Sequence, residues 1–345
     1  MSTQSTGITD LHSDLPLALL HRRFEGVTGS LRDEWLPLLR AGGVDVIVCA
    51  IYIDSIFLPE GALRRAVQLV DALLEEIALC PDEVELAFTA DDLDRVTGAG
   101  RIAALLMFEG AEPFGQDLAG LRLFHRLGMR ICSFAWMRRT AYGDGAWEND
   151  SRGGLTRLGH AAVAELNRLG IVTDVSHCSD QTTWDILAAS TQPVIASHSN
   201  ARAVAAQPRN LTDDMIKAIA ASDGLVGMVA VAGYISPDAA TLSRWVDHFD
   251  HVANLVGVDC LGVGFDFFTE IMAMNIFGDV PAWGPPGGLV PLEFAEMATY
   301  RDVPRLAEEL LRRGYTDDDL RKIYGENFRR VLSAVQSSRV KKPTS

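Results

Sequence analysis

Five short segments of the chain each run from apolar residues into a side chain that can bind a metal or move a proton. Residues 8–14 end in His12, Ser13 and Asp14, and residues 105–109 end in Glu109. Residues 171–177 and 193–198 end in His177 and His198, and residues 261–266 end in Asp266. Parallel strands covered on both faces read as continuous hydrophobic runs. A polar group at the C-terminal end of such a strand lies where a (β/α)8 barrel builds its active site. Histidines and carboxylates gathered there are the donors of a divalent metal centre, and the number of them provides for two ions and hydrolytic chemistry.

His12 and Asp14 are two residues apart, so an extended segment points both to one side, where they can chelate one ion. Glu109 follows an entirely apolar run, and an unpaired charge at a buried strand end is costly. A cation would neutralise it, and a carboxylate can bridge two. His177 and His198 close consecutive strands, one βα repeat apart. Neighbouring strands lie about 4.8 Å from each other, so the two imidazoles can share an ion. The nitrogen and oxygen donors, without thiolates, suit zinc first, with manganese, iron or cobalt as alternatives. Two such ions would share a hydroxide at neutral pH and polarise a carbonyl. Asp266 then reads as the proton shuttle from that water to a leaving nitrogen. The remaining histidines, His21, His125, His160, His248 and His251, fall in loops or predicted helices and read as surface or helix residues.

These side chains need a frame to hold them. A complete α/β barrel takes about 250 residues plus insertions, and the chain has 345 with 48% hydrophobic residues. One domain over residues 1–345 is therefore expected. No run reaches the ~18 apolar residues of a membrane span, and residues 1–9 are polar, without the regions of a signal peptide. The expected location is the cytoplasm. The net charge of −15 argues against nucleic-acid or anionic-membrane partners. Five cysteines, an odd number with no CxxC pair, argue against a disulfide framework and a thiolate zinc site. Cys49, Cys80 and Cys132 sit in or beside apolar runs, as buried reduced thiols do.

Strands are predicted at 8–12, 44–53, 102–109, 129–136, 171–177, 193–198, 225–231 and 261–266, with a short extra strand at 84–89. A polar loop and a helix at 31–40, closed by Gly42 and Gly43, follow the first strand. Further helices are predicted at 61–78, from Asp91 as cap, at 118–127, 156–169, 180–190, 212–222 and 242–256. Eight strands alternating with helices predict an α/β fold, a parallel sheet closed into a (β/α)8 TIM-type barrel. Residues 267–292, rich in proline and glycine, read as an irregular loop over the barrel mouth. Helices at 303–313 and 317–337 and a disordered tail at 338–345 complete the expectation.

At these residues the chain resembles the renal, or membrane, dipeptidase family of zinc-dependent amidohydrolase-like barrels. The resemblance runs from Asp10 to about Val335. It is carried by Asp10-Leu11-His12-Ser13-Asp14-Leu15-Pro16, Phe108-Glu109-Gly110, Gly153-Gly154-Leu155-Thr156 and Asn167-Arg168-Leu169-Gly170. It continues through Asp174-Val175-Ser176-His177, Ser197-His198-Ser199-Asn200-Ala201-Arg202 and Pro208-Arg209-Asn210-Leu211-Thr212-Asp213. The resemblance implies that His12 and Asp14 hold one zinc, His177 and His198 the other, and that Glu109 bridges them. It implies Asp266 as general acid/base, Arg209 as partner of a substrate's C-terminal carboxylate, Tyr234 as a wall of the same pocket, and a homodimer.

The chain departs from the family at two places. Where the fourth strand of the family ends in a substrate-contacting histidine, this chain has Trp136. An indole donates one hydrogen bond and carries no charge, and loss of one oxyanion donor can cost about 10²–10³ in rate. Arg138 or Arg139 could supply the missing charge. Asp266-Phe267-Phe268-Thr269 lacks the second aspartate and the glycine usual there, and the apolar residues 271–277 could shape a different pocket. The expected function is a binuclear zinc hydrolase acting on the amide bond of a dipeptide or small N-acyl amino acid. The alternatives are a member specialised for a non-standard metabolite, and a non-catalytic metal-containing binding protein.

Overall fold

In the computed structural model, residues 7–274, 291–292 and 294–337 are described. Among the described residues nine strands occur in chain order: β1 (Ile8–Ser13), β2 (Val44–Tyr52), β3 (Val84–Leu86), β4 (Ile102–Glu109), β5 (Met129–Ser133), β6 (Val172–Asp174), β7 (Val194–Ala196), β8 (Leu225–Met228) and β9 (Leu261–Val263). All pair in parallel, and β1, β2, β4, β5, β6, β7, β8 and β9 close into an eight-stranded barrel. The short β3 is the extra strand expected from the sequence and lies along β4 outside that circuit. The (β/α)8 architecture is thus the one the apolar runs predicted.

Alternation along the strands divides two cores. Val46, Val48, Leu105, Met107, Ile131, Val172, Ile195 and Leu225 fill the barrel with Leu11. Ile47, Cys49, Ile51, Leu106 and Phe108 face the helix ring. The helices start where a hydroxyl accepts a backbone N–H: Thr156 from Gly159, Ser179 from Thr182, Thr212 from Met215 and Thr241 from Arg244. Gly43 and Gly170 end theirs in the left-handed conformation, which glycine adopts without steric cost. All five cysteines are buried and free. Among the described residues no helix is long and apolar enough to cross a membrane.

Several boundaries differ from expectation. Residues 15–24, read as loop, form a helix whose Pro16 suits a first turn and whose Leu15, Leu17, Leu19 and Leu20 are buried. The helix at Ala90–Gly98 is capped by Thr89 rather than Asp91, in a reciprocal capping box with Asp92. Strands β5 to β9 end two or three residues before their expected ends, and in β6, β7 and β9 the residues released from the ladder include His177, His198 and Asp266. A four-residue helix, Ala232–Ile235, follows β8, and Thr269–Ala273 is helical within the expected loop. The rest of that loop, 275–290, and the tail 338–345 lie outside the described residues. The single terminal helix expected at 317–337 is interrupted by a π-helical turn, Lys322–Glu326.

Candidate metal centre

The bottom of the site is set by two buried aspartates that sequence reasoning passed over. Asp10 of β1 accepts hydrogen bonds from the His12 and Phe265 amides at 3.2 and 2.9 Å and from the Tyr300 hydroxyl at 2.6 Å. It thereby ties β1 to the segment after β9, and burial raises its pKa to about 7. Asp174 of β6 accepts from the amides of Ser176 and Ser197 and from the Ser197 hydroxyl at 2.6 Å. Ser197 Oγ also lies 2.8 Å from His198 Nδ1. With its proton given to Asp174, the hydroxyl accepts from Nδ1–H, so His198 keeps the Nε2 lone pair free for a cation. The Ser-His pairs at 176–177 and 197–198 were the sequence signal for this support.

Above this layer all six expected ligand and proton-shuttle residues converge. His12 Nε2 lies 3.8 Å from Glu109 Oε1 and 3.6 Å from Asp266 Oδ1. Glu109 Oε1 is also 2.8 Å from His177 Nε2 and 3.3 Å from His198 Nε2, and those two imidazole nitrogens are 2.8 Å apart. Three overlapping donor groups result: His12, Asp14 and Glu109; Glu109, His177 and His198; and His12, His198 and Asp266. His12, Glu109 and His198 each belong to two of them. The route to the first group differs from simple strand alternation. The register of β1 shifts between Asp10 and Ser13, so Leu11 points into the barrel while His12 still reaches the site, and Asp14 serves as the N-cap of the following helix.

The electrostatics fit a cation. Burial lowers the His12 imidazole to about 3, helped by the Arg209 charge, and holds His177 and His198 well below the ordinary value. Neutral imidazoles are the ligand form. Burial raises Asp14 to about 7, with the Asp54 charge adding to it. Glu109 and Asp266 are pushed well above the usual carboxylate range by burial and then by the Asp14 charge. Three carboxylates in one dry site repel each other unless positive charge joins them. Asp14 Oδ1 is buried without a hydrogen-bond partner, which is how a donor atom reserved for a metal stands. His177 and Asp266 adopt left-handed backbone, φ 69° and 57°, a conformation in which His and Asp are enriched and which clusters at functional sites.

Arg209 is 4% exposed. Its Nε donates to His177 Nδ1 at 3.2 Å, one Nη to Ser199 Oγ at 2.5 Å and the other to the His198 carbonyl at 2.6 Å. The guanidinium thus braces both histidines of the second pair and keeps the remaining N–H of each Nη for a ligand. Tyr234, on the short helix after β8, lies under it with ring centroid 5.8 Å from Cζ. Trp136 lies three residues past the end of β5, with ring centroids 5.8 Å from His177, 5.0 Å from Tyr52 and 5.2 Å from Trp147. Of the two arginines left open, Arg139 turns outward to Asp144 and Glu148. Arg138 stacks on Trp136 at 4.8 Å and bonds Ser55, the Ile53 carbonyl and Glu112.

The other histidines all lie on helices. His248, however, is wholly buried rather than at the surface: its Nδ1 accepts from the Ala201 amide at 3.1 Å and its Nε2 donates to the Ile235 carbonyl at 3.0 Å.

Comparison with known proteins places this geometry among relatives. The family model for membrane dipeptidases, peptidase family M19, matches residues 3–282 and 287–345. Dipeptidase tcpJ of Claviceps purpurea (strain 20.1) is 33% identical over 279 residues, 80% of this chain and 61% of that protein. Dipeptidase 3 of Rattus norvegicus is 30% identical over 354 residues, 97% of this chain and 66% of that protein. The chain thus spans somewhat under two thirds of the length of these two relatives. A metallo peptidase of Rhodobacter sphaeroides, solved with a phosphinate mimic of the dipeptide L-Ala-D-Ala, superposes with a TM-score of 0.82 at 26% identity, covering 95% of this chain and 99% of the other.

Proposed function

This chain belongs to the membrane dipeptidase family, peptidase family M19, and we propose that it is a binuclear metal-dependent hydrolase of the amide bond in dipeptides or small N-acyl amino acids. The observation that carries this reading is the convergence of His12, Asp14, Glu109, His177, His198 and Asp266 in overlapping donor groups at one end of the barrel. His12 and Asp14 would hold one ion and His177 and His198 the other, with Glu109 between them. Two divalent ions, zinc by the donor set, supply Lewis acidity and make water a nucleophile at neutral pH.

The chain's own groups do the rest. Asp266 takes the proton of the attacking water and delivers it to the leaving nitrogen. Its buried, acid-surrounded position favours the protonated state it needs halfway through that cycle. Arg209 offers its free N–H groups to the C-terminal carboxylate, and Tyr234 packs beside that carboxylate. The aromatic group of Trp136, Tyr52 and Trp147 favours a second version of the same chemistry, in which the substrate is a specialised metabolite with an apolar N-terminal side. Residues 1–345 are proposed to form one domain, acting as a homodimer.

The test combines elemental analysis with a panel of dipeptides bearing L and D C-terminal residues beside N-acyl amino acids. Two ions per chain and turnover of at least one amide are expected, with fewer ions in His198→Ala. At most one tightly bound ion, unchanged in His198→Ala, sinks the metal assignment. Two ions with no amide turned over sinks the hydrolase reading and leaves a metal-containing binding protein.

A further inference from the structure

One inward side chain of the upper barrel layer has so far served only as part of an aromatic wall. Tyr52 ends β2 and stands in register with Glu109 at the end of β4. Val46 and Val48 of the same strand fill the barrel interior. Side chains alternate along a strand, so Tyr52 points inward as they do, beside Glu109 on the neighbouring strand. Its ring contacts Trp136, which in turn contacts His177. Burial raises its phenol pKa, the Arg138 charge lowers it, and the carboxylates of Asp54, Glu109 and Asp14 add to the rise. The ring therefore stands beside Glu109 of the metal centre and against the Trp136 indole on which Arg138 stacks. Burial keeps the phenol protonated far above neutral pH.

The neighbours cannot do what this hydroxyl could. Trp136 carries no charge, and Arg138 has its guanidinium engaged by Ser55, Ile53 and Glu112 while it stacks on the indole. Arg209 braces the β6 and β7 histidines, whereas Tyr52 enters from β2, across the barrel. An amide held by its carboxylate at Arg209 and crossing the donor groups would meet the Tyr52 side next.

We propose that Tyr52 is a further catalytic residue, donating its hydroxyl hydrogen bond to the scissile carbonyl oxygen as that oxygen becomes negative. This rests on the amide-hydrolase reading. As the water oxygen bonds to the carbonyl carbon, the C=O π pair moves onto the carbonyl oxygen and the water proton passes to Asp266. As the C–N bond breaks, the pair returns to re-form the C=O bond and Asp266 protonates the leaving nitrogen. Tyr52 keeps its proton throughout. A neutral donor is suited to a wall already crowded with carboxylates, and the aromatic packing of Trp136 fixes its ring.

Tyr52→Phe keeps the ring and removes only the hydroxyl. On the best amide substrate it is expected to lower kcat by about 10²–10³, the value of one oxyanion donor, with KM and the metal content as in wild type. Calorimetric binding of a phosphinate dipeptide mimic, whose tetrahedral oxygens imitate the charged intermediate, should weaken by a comparable factor. Trp136→His in the Tyr52→Phe background should recover part of kcat by bringing in another donor. Unchanged kcat and unchanged phosphinate affinity in Tyr52→Phe overturn the proposal, as does a loss of activity that tracks a loss of metal. If the wild type cleaves no amide, the hydrolase reading fails on its own and phosphinate affinity alone decides Tyr52: weaker binding by Tyr52→Phe supports the donor, equal binding or none by either protein refutes it.

Discussion

His248 gives a prediction in which acid and mutation can be set against each other. Its imidazole is completely buried on the helix Leu242–Val256, and burial lowers its pKa from 6.5 to about 4 against the opposing pull of its bond to Ile235. The folded state prefers the neutral ring, so this stabilisation is complete above pH 6.5 and is lost as pH falls toward 4. At about 1.36 kcal/mol for each pH unit between those values, the loss is about 3 kcal/mol. Protonation would also set an N–H against the Ala201 amide that Nδ1 now accepts. His248→Phe retains a ring but leaves the Ala201 N–H and the Ile235 carbonyl unpaired, at roughly 1–3 kcal/mol each. Urea unfolding of both proteins at pH 8 should therefore find the variant about 2–6 kcal/mol less stable. Repeated toward pH 4, that difference should shrink by about 3 kcal/mol, because the wild type loses what the variant never had. Acid release of metal affects both proteins and cancels in the comparison. A wild type–variant difference that stays constant from pH 8 to 4 would refute the reasoning about this imidazole.

Asp266→Asn should lose most of kcat while elemental analysis still finds the wild-type metal content; near-normal turnover would mean that another group carries the proton. Tyr300→Phe removes the 2.6 Å bond to the buried Asp10 carboxylate, a charge-assisted or strongly polar bond worth about 1.5–3 kcal/mol. A midpoint of chemical unfolding equal to wild type would show that the Asp10 layer does not depend on that hydroxyl.

The barrel was legible because each of its strands is an apolar run, and the site because its donors stand directly at the ends of those runs. Glu109, at the end of an eight-residue strand buried throughout, is the clearest case. Asp10 and Asp174 were not legible as support, since their hydrogen-bond partners come from elsewhere in the barrel, Tyr300 being 290 residues away from Asp10. Tyr52 escaped because a tyrosine at a strand end is also an ordinary packing residue, and only the register with Glu109 gives it a direction. The helix Leu15–Phe24 was hidden because its leucines follow the strand without a break of turn residues. Trp136 was placed in a strand that ends at Ser133; the apolar character of residues 134–136 continues past the last ladder bond and does not mark it.

The register shift in β1 has a consequence for how the site can change. Below it the register has already shifted once, between Ile8 and Thr9, and Leu11, within the upper shift, still faces the barrel interior. Above it, the rhythm is reset, and a bulge of this kind redirects a side chain at little cost to the remaining pairing. The chain therefore has a mechanical clutch between scaffold and chemistry: the sequence from His12 onward can drift in spacing or aim without forcing the strand beneath it to repack. Relatives that need a different metal geometry could reach it by altering this one joint, whereas His177 and His198, which follow strands of only three residues each, have no comparable slack and depend on Asp174, Ser197 and Arg209 to hold their aim.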